Sequence, residues 1–483
     1  MNTVKLLIDG QKRDAVDQKT FTRMNPITGE VASVAAAAQP ADVQAALESA
    51  EKAFHVWSKL GPTERRKRLL KAADLMDQRA EEFVLTARQE TGSTNSWYGF
   101  NVHLSANILR EAAAMTTQID GSIIPSDLPG SLSMGFRVPC GVILSIAPWN
   151  APVILATRAV AMPLACGNTV ILKASELCPA THALIGEVLN DAGIGEGVIN
   201  VVTNAPEDAA SVVEQLIAHP AVKRVNFTGS TKVGKIIAGT AAKYLKPVLL
   251  ELGGKAPVIV CEDADLDQAV EGVAFGAFFN QGQICMSTER LIVSEKIADE
   301  FLEKLVAKIK RIKVGSPDLE DTTFAYLESE NSVKRITALI EDAVAKGASL
   351  PVPLQTDGAL MHPLIVNGIT PEMKLYYEES FGPVATMTTF KTEEEAVRLA
   401  NDTAYGLSSA VFTQNLNKGL DIAKQIDSGI CHINGPTVHD EAQAPFGGSK
   451  ESSYGRFGSK SAINEFTELR WVTIQTTPRQ YPL

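Results

Sequence analysis

Between residues 42 and 114, Ala, Leu, Glu and Lys recur at a 3.6-residue period, which predicts a run of helices. The pattern changes over 120–141. Residues 121–125 and 132–138 read as two strands about a turn at Pro129-Gly130. Short apolar runs then alternate with helical stretches. Strands are expected at 141–146, 169–172, 198–202, 224–227 and 247–250, with helices starting at Ala151 and Pro179. A second series follows Glu251, with strands near 256–261, 290–293, 385–389 and 409–413. Strand–helix alternation of this kind predicts an α/β chain whose parallel sheets are covered on both faces. The tail, 470–475, reads as one more strand. Its partner must be distant in sequence, and an exposed strand near a terminus invites pairing with another subunit.

Length and charge narrow the function classes. A chain of 483 residues corresponds to roughly three domains and is ample for a large core. The net charge of −11 leaves no basic surplus to neutralise phosphates, which argues against nucleic acid or an anionic membrane as partner. The six cysteines form no Cys-x-x-Cys pair and no His-Glu-x-x-His occurs, so no metal site is expected. Sparse cysteines suit a reducing compartment. The first residues carry too short an apolar run for a secretory signal. The most apolar stretch, 141–172, is interrupted by Pro148, Asn150, Arg158, Pro163 and Asn168, so it reads as buried strands and a helix rather than a membrane span. A cytoplasmic protein is the expectation.

Several strand ends carry candidate chemistry. Phe227-Thr-Gly-Ser-Thr-Lys-Val-Gly234 leaves a strand and opens a helix, where free N–H groups face an anion. Its spacing approaches a triphosphate loop, but Ile236 stands where that loop needs Ser or Thr for magnesium. A plain glycine-rich turn fits equally well. Lys173-Ala-Ser-Glu176 follows another strand and offers an amine and a carboxylate to a ribose; a solvated loop is the alternative. Cys285, in Asn280-Gln-Gly-Gln-Ile-Cys285, lies in a polar, glycine-containing stretch, unlike Cys261 in its apolar strand. Isolated cysteines are more often small buried hydrophobes. Glu251 ends a strand beside Gly253 and Gly254, where a carboxylate can serve as a base or simply form an ion pair. The Asn150 amide, in Pro148-Trp-Asn150, can donate to a developing oxyanion or cap a turn.

Taken in order, Pro-Trp-Asn, Lys-x-Ser-Glu, Phe-Thr-Gly-Ser, Leu-Glu-Leu-Gly-Gly-Lys, Gly-Gln-x-Cys, Glu-Glu-Ser-Phe-Gly-Pro at 378–383 and Pro-Phe-Gly-Gly-x-Lys at 445–450 resemble the aldehyde dehydrogenase superfamily over essentially the whole chain. The resemblance implies an NAD-dependent enzyme with a three-part fold. A Rossmann-like cofactor domain would span 1–120 and 142–251, and an α/β catalytic domain 252–461. A small β arm joining subunits, as a homodimer or dimer of dimers, would take 121–141 and 462–483. It further implies Cys285 as nucleophile, Glu251 as general base for hydrolysis, and an oxyanion hole from Asn150 and the Cys285 N–H. Ala147, Pro148, Trp149, Lys173, Ser175, Glu176, Gly229, Ser230, Val233, Gly234, Glu379 and Phe381 would hold NAD. Two departures stand out. Ala174 replaces a usual Pro, and Ser452-Ser453 replaces a usual Ser-Gly, with no evident consequence.

The expected chemistry is thiolate attack on an aldehyde, hydride loss to NAD, and hydrolysis of the thioester to the acid. The helix after Asn150 places Ala151, Ile154, Leu155, Arg158 and Met162 on one face, which in the family lines the substrate tunnel. Trp97 is expected near it. Arg158 and Trp97 point to an aromatic aldehyde bearing a hydrogen-bond acceptor. Pairing of Arg158 with a buried carboxylate is an equal reading. Within the family the chain resembles the salicylaldehyde dehydrogenases of bacterial naphthalene breakdown, so salicylaldehyde is the favoured substrate. A semialdehyde dehydrogenase using Arg158 for a substrate carboxylate is the alternative. A nucleoside triphosphatase and a non-catalytic binding protein are remoter ones.

Overall fold

A computed structural model describes residues 1–319 and 321–482. Glu320, in the expected catalytic domain, and Leu483, at the end of the expected arm, lie outside the described residues. Five of the expected apolar strands form the centre of an eight-stranded sheet. Its order is Ser453–Tyr454, Val248–Glu251, Val222–Thr228, Val142–Ile146, Thr169–Lys173, Ile199–Val202, Leu6–Ile8 and Gln11–Arg13. The central five run parallel, and the outer pairings are antiparallel.

Every residue of Val142–Ile146 and Thr169–Lys173 is buried, because helices cover both faces. Successive side chains point to opposite layers. Ile143, Val170 and Leu172 join a core with helices Pro62–Gln78, Asn95–Met115, Pro152–Ala165 and Pro179–Asp191. Leu144, Ile146 and Ile171 join another with Ala209–Ala218 and Thr231–Lys243. Helix Pro152–Ala165 is buried on all sides, which is why it reads as almost wholly apolar.

The second sheet has six parallel strands in the order Leu364–Asn367, Val384–Phe390, Thr288–Ser294, Ala256–Val260, Ser408–Phe412 and Ile430–Ile433. A separate sheet joins Thr467–Gln475 antiparallel to Ser131–Pro139 along nine positions, and Ser131–Pro139 to Gly121–Ile124. This sheet exposes large apolar side chains, with Trp471 73% and Ile123 71% exposed. Among the described residues no helix is long and apolar enough to cross a membrane.

Elements before residue 42 are an addition to the sequence reading. Leu6–Ile8 and Gln11–Arg13 extend the first sheet, and Asn2–Val4, Thr20–Met24 and Val31–Ala36 form a three-stranded sheet of their own.

Candidate active site

In the first sheet the chain order reverses between neighbouring strands Val142–Ile146 and Val222–Thr228. A crevice opens beyond the carboxyl ends of parallel strands at such a point. Here it is a cavity of about 310 Å³. Pro148, Trp149 and Asn150 enter it from one strand end, Thr228, Gly229 and Ser230 from the next, and Leu252 and Gly253 from a third. Cys285, Arg335, Glu379 and Phe381 of the second α/β unit close the other side. Seven of the expected catalytic and cofactor residues other than Cys285 therefore share one cavity with it: Pro148, Trp149, Asn150, Gly229, Ser230, Glu379 and Phe381.

Cys285 sits on a constrained loop. Asn280, Gln281 and Gly282 all have positive φ, at 47°, 56° and 69°. Two consecutive non-glycine residues there are sterically costly and persist only where surroundings fix them. The fixing contacts are present. Asn280 Nδ2 donates to the Asn150 carbonyl at 3.1 Å, Ser93 Oγ to Gln281 Oε1 at 3.0 Å, and Ser287 Oγ to the Gly282 carbonyl at 3.0 Å. Asn150 Nδ2 donates to the Gln283 carbonyl at 3.0 Å. A primary amide has two N–H groups, so one remains for a substrate oxygen. Burial pushes the Cys285 thiol well up, and the Glu251 and Glu379 carboxylates push it further.

Glu251, the last residue of its strand, is buried. It does not line the cavity but occupies a niche behind it. Ser453, its antiparallel cross-strand partner, donates from Oγ to Glu251 Oε1 at 2.8 Å. Oε2 has no partner among the described residues. Burial drives the carboxyl well above the ordinary range, against the Ser453 hydrogen bond and the positive charges of Arg158 and Arg456. Ser452 adds a clamp, donating from Oγ to the Gly253 carbonyl at 2.7 Å and accepting at its own carbonyl from the Leu252 N–H at 2.8 Å. The departure itself, Ser453 in place of the usual Gly, thus adds the hydroxyl that reaches Glu251, a role that the sequence did not reveal.

The cofactor side has the chemistry a dinucleotide needs. Ser230 caps helix Thr231–Lys243, accepting from Val233 N–H, and this helix end is exposed at the cavity. Gly234 lets that helix approach Leu252, whose Cδ2 would lie 2.3 Å from any added Cβ. A Cβ at Gly253 would lie 2.6 Å from Glu379 Oε2, so the bare backbone keeps the cleft open beside this carboxylate. Val233 is exposed on the helix and does not line the cavity. Lys173 Nζ pairs with Glu176, which also accepts from Asn204 Nδ2 at 2.9 Å. Ser175 N–H donates to His182 Nδ1 at 3.1 Å. Burial and Lys173 push His182 down to about 3, which keeps that ring nitrogen an acceptor. Ala147 is buried. Ala147, Lys173, Ser175, Glu176 and Gly234 do not line the cavity, whereas the capped helix end at Ser230 does and fits an anionic phosphate.

Phe381 and Glu379, both expected from sequence, are supported by two residues that were not singled out, Glu289 and Lys255. Phe381, at φ 47°, packs edge-on to Trp149 with centroids 5.8 Å apart. Its N–H and that of Ser380 donate to Glu289, a buried carboxylate paired with fully buried Lys255. Glu379 Oε1 accepts from Gly254 N–H at 2.9 Å. Burial and neighbouring Glu289 raise its carboxyl to about 8.

The expected substrate residues are placed differently from one another. Ile154 is buried in the core, and the cavity is reached instead by Leu155. Trp97 is buried, and its Nε1 donates to the Asn150 carbonyl at 3.1 Å. It packs edge-on to Phe279 at 5.1 Å and lies over Phe100 at 5.9 Å. Phe100 in turn lines a second cavity, of about 450 Å³, together with Asp440 and Glu441. Arg158, one reading of which was a donor to a substrate oxygen, is held by Asp440. Nη2 lies 2.6 Å from Oδ2, and both side chains are buried. The guanidinium also lies over the Phe446 ring at 4.5 Å. Of the two readings, pairing with a buried carboxylate is the arrangement present.

Residues 13–472 match the aldehyde dehydrogenase family. The chain is 58% identical to a vanillin dehydrogenase of Pseudomonas fluorescens over the full length of both. It is 48% identical to a salicylaldehyde dehydrogenase of Pseudomonas putida over 99% of each chain. The structure of a salicylaldehyde dehydrogenase from Pseudomonas putida G7, complexed with salicylaldehyde, superposes with a TM-score of 0.98 at 47% identity, covering both chains completely. With its motifs in order and its cavity at the reversal of the first sheet, the chain belongs to the aldehyde dehydrogenase family and is an enzyme of that fold.

Proposed function

We propose that the protein oxidises a ring-substituted benzaldehyde to its carboxylic acid with NAD, through a thioester on Cys285 that water hydrolyses. The observation carrying this reading is the cavity that holds Cys285 beside the Asn150 amide, and the relatives named for vanillin and salicylaldehyde support an aromatic substrate. Trp97, Phe100 and Phe279 pack together without lining that cavity.

Cys285 gives up its thiol proton to solvent water, and the thiolate Sγ forms a bond to the aldehyde carbon. The carbonyl electron pair moves onto oxygen, where the free Asn150 N–H and the Cys285 N–H stabilise it. Oxidised nicotinamide, held beside Trp149, Glu379 and Phe381, would supply the acceptor for the hydride. The carbonyl re-forms as a thioester as hydride leaves carbon. Glu251 takes a proton from water, the hydroxide adds to the thioester, the C–S bond breaks, and the acid departs. Glu251 is suited to this because burial raises its proton affinity.

Vanillin stands ahead of salicylaldehyde, which the sequence alone favoured. The relative at 58% identity is named for vanillin, and the guanidinium offered to an ortho oxygen is engaged by Asp440. Salicylaldehyde is retained as the second reading on the 48% relative and the 0.98 TM-score of its structural counterpart. Glu176 supports NAD over NADP, since a carboxylate accepts from a free ribose hydroxyl and repels a 2′-phosphate. The exposed apolar side chains of the three-stranded sheet support self-association as a homodimer or dimer of dimers.

The test is catalytic efficiency on vanillin, salicylaldehyde, benzaldehyde and succinate semialdehyde with each dinucleotide. The expected order places the aromatic aldehydes first, vanillin leading, with NAD preferred. Preference for succinate semialdehyde would move the assignment to acid-bearing substrates.

A further inference from the structure

Two strands whose facing residues lie 202 positions apart in sequence bring Ser453 onto Glu251. The antiparallel pairing of Glu251 with Ser453 puts both side chains on one face of the sheet. The serine hydroxyl donates to Glu251 Oε1 at 2.8 Å, and Ser453 is itself buried. The niche admits nothing larger than hydrogen at Gly447, where an added Cβ would lie 2.7 Å from the same Oε1. Oε1 is therefore fixed by one donor, and Oε2 is left without one.

We infer that Ser453 is a positioning residue for Glu251: its hydroxyl anchors Oε1, reserves Oε2 as the proton acceptor for the hydrolytic water, and sets the pH at which the base becomes competent. This inference rests on the assignment of Glu251 as the base. The charged and titratable groups facing the carboxyl are Arg158 from helix Pro152–Ala165, Arg456 beyond strand Ser453–Tyr454, Asp440 from the loop before Pro445, and the Cys285 thiol. None of the first three donates to Glu251 a hydrogen bond found among the described residues, so Ser453 is the direct donor. A hydrogen bond to the ionised form lowers a carboxyl's pKa, in the direction found for Ser453. Its removal raises that pKa. The acid limb of acyl-enzyme breakdown then moves to higher pH.

The experiment measures NADH formation by stopped flow across pH for wild type, Ser453→Ala, Ser453→Gly, Ser453→Thr and Glu251→Gln. The burst amplitude counts folded, acylating sites, and the following phase reports hydrolysis. Ser453→Ala and Ser453→Gly should keep a burst and shift the acid limb of the slow phase upward by about one pH unit or more. Ser453→Thr, which keeps the hydroxyl, should restore the wild-type position. An unmoved acid limb in the Ala and Gly variants, or a Thr variant that shifts as they do, overturns the role of the hydroxyl. Glu251→Gln separates the two claims: if it turns over normally, the base assignment fails, whereas its collapse beside an unmoved Ser453→Ala limb overturns the present inference alone.

Discussion

Arg158 Nη2 and Asp440 Oδ2 meet at 2.6 Å in a buried pair that bridges helix Pro152–Ala165 to the loop before Pro445. Removing one partner strands the other charge. Arg158→Ala is expected to destabilise the fold by about 3–5 kcal/mol. It should also lower efficiency on vanillin, salicylaldehyde and benzaldehyde by similar factors, because the guanidinium is not held for a ring substituent. Thermal melts and the three efficiencies check this. A loss confined to salicylaldehyde would restore the ortho-oxygen role.

Trp97 Nε1 and Asn280 Nδ2 together hold the Asn150 carbonyl, fixing a residue that lines the cavity with Cys285. Trp97→Phe keeps the aromatic packing and removes one donor. We expect kcat to fall about threefold to tenfold, from a hydrogen bond worth about 0.5–1.5 kcal/mol, with KM nearly unchanged. A raised KM at constant kcat would place Trp97 in direct substrate contact.

Glu379 carries a pH signature. Its folded value of about 8 lies above that of an unfolded glutamate, so its contribution to stability is complete below the unfolded pKa and declines as pH rises through 8. Glu379→Gln removes the group that must ionise in a low-dielectric site. The Tm of the variant minus that of the wild type should therefore increase from pH 5 to pH 8.5 in the absence of dinucleotide. A difference that is constant across this range would show that the carboxyl is already ionised at neutral pH.

Leu469, Trp471 and Ile474 of strand Thr467–Gln475 are exposed although the strand is fully paired with Ser131–Pro139. Leu469→Lys with Trp471→Lys should shift the protein to a smaller species in light scattering. An unchanged mass would remove this sheet from the subunit contact.

Much of this architecture was legible because parallel strands buried on both faces read as unbroken apolar runs. The strand ends at Ile146, Lys173, Thr228 and Glu251 could then be located to within one residue. The hairpin and tail strand were legible from turn chemistry and terminal position, and they pair with each other. The strands before residue 42 were not, since those of Asn2–Val4, Leu6–Ile8 and Gln11–Arg13 have only three residues each and gain their pairing from distant segments. Partners that join remote positions were equally hidden. Ser453 lies 202 residues from Glu251, and Asp440 lies 282 from Arg158. No local period encodes such pairs. Lys255 and Glu289 were missed for the same reason, although a lysine at 0% side-chain exposure is a strong sign of a buried partner once burial is known.

The central claim is a covalent acyl-enzyme on Cys285 hydrolysed with the help of Glu251. Intact-protein mass spectrometry of Glu251→Gln, taken after mixing with NAD and vanillin, tests it most directly. We predict one added vanilloyl group per chain, mapped by peptide digestion to Cys285, persisting for many wild-type turnover times and absent from Cys285→Ala. Normal turnover of Glu251→Gln without accumulated adduct, or an adduct on another cysteine, would contradict the account.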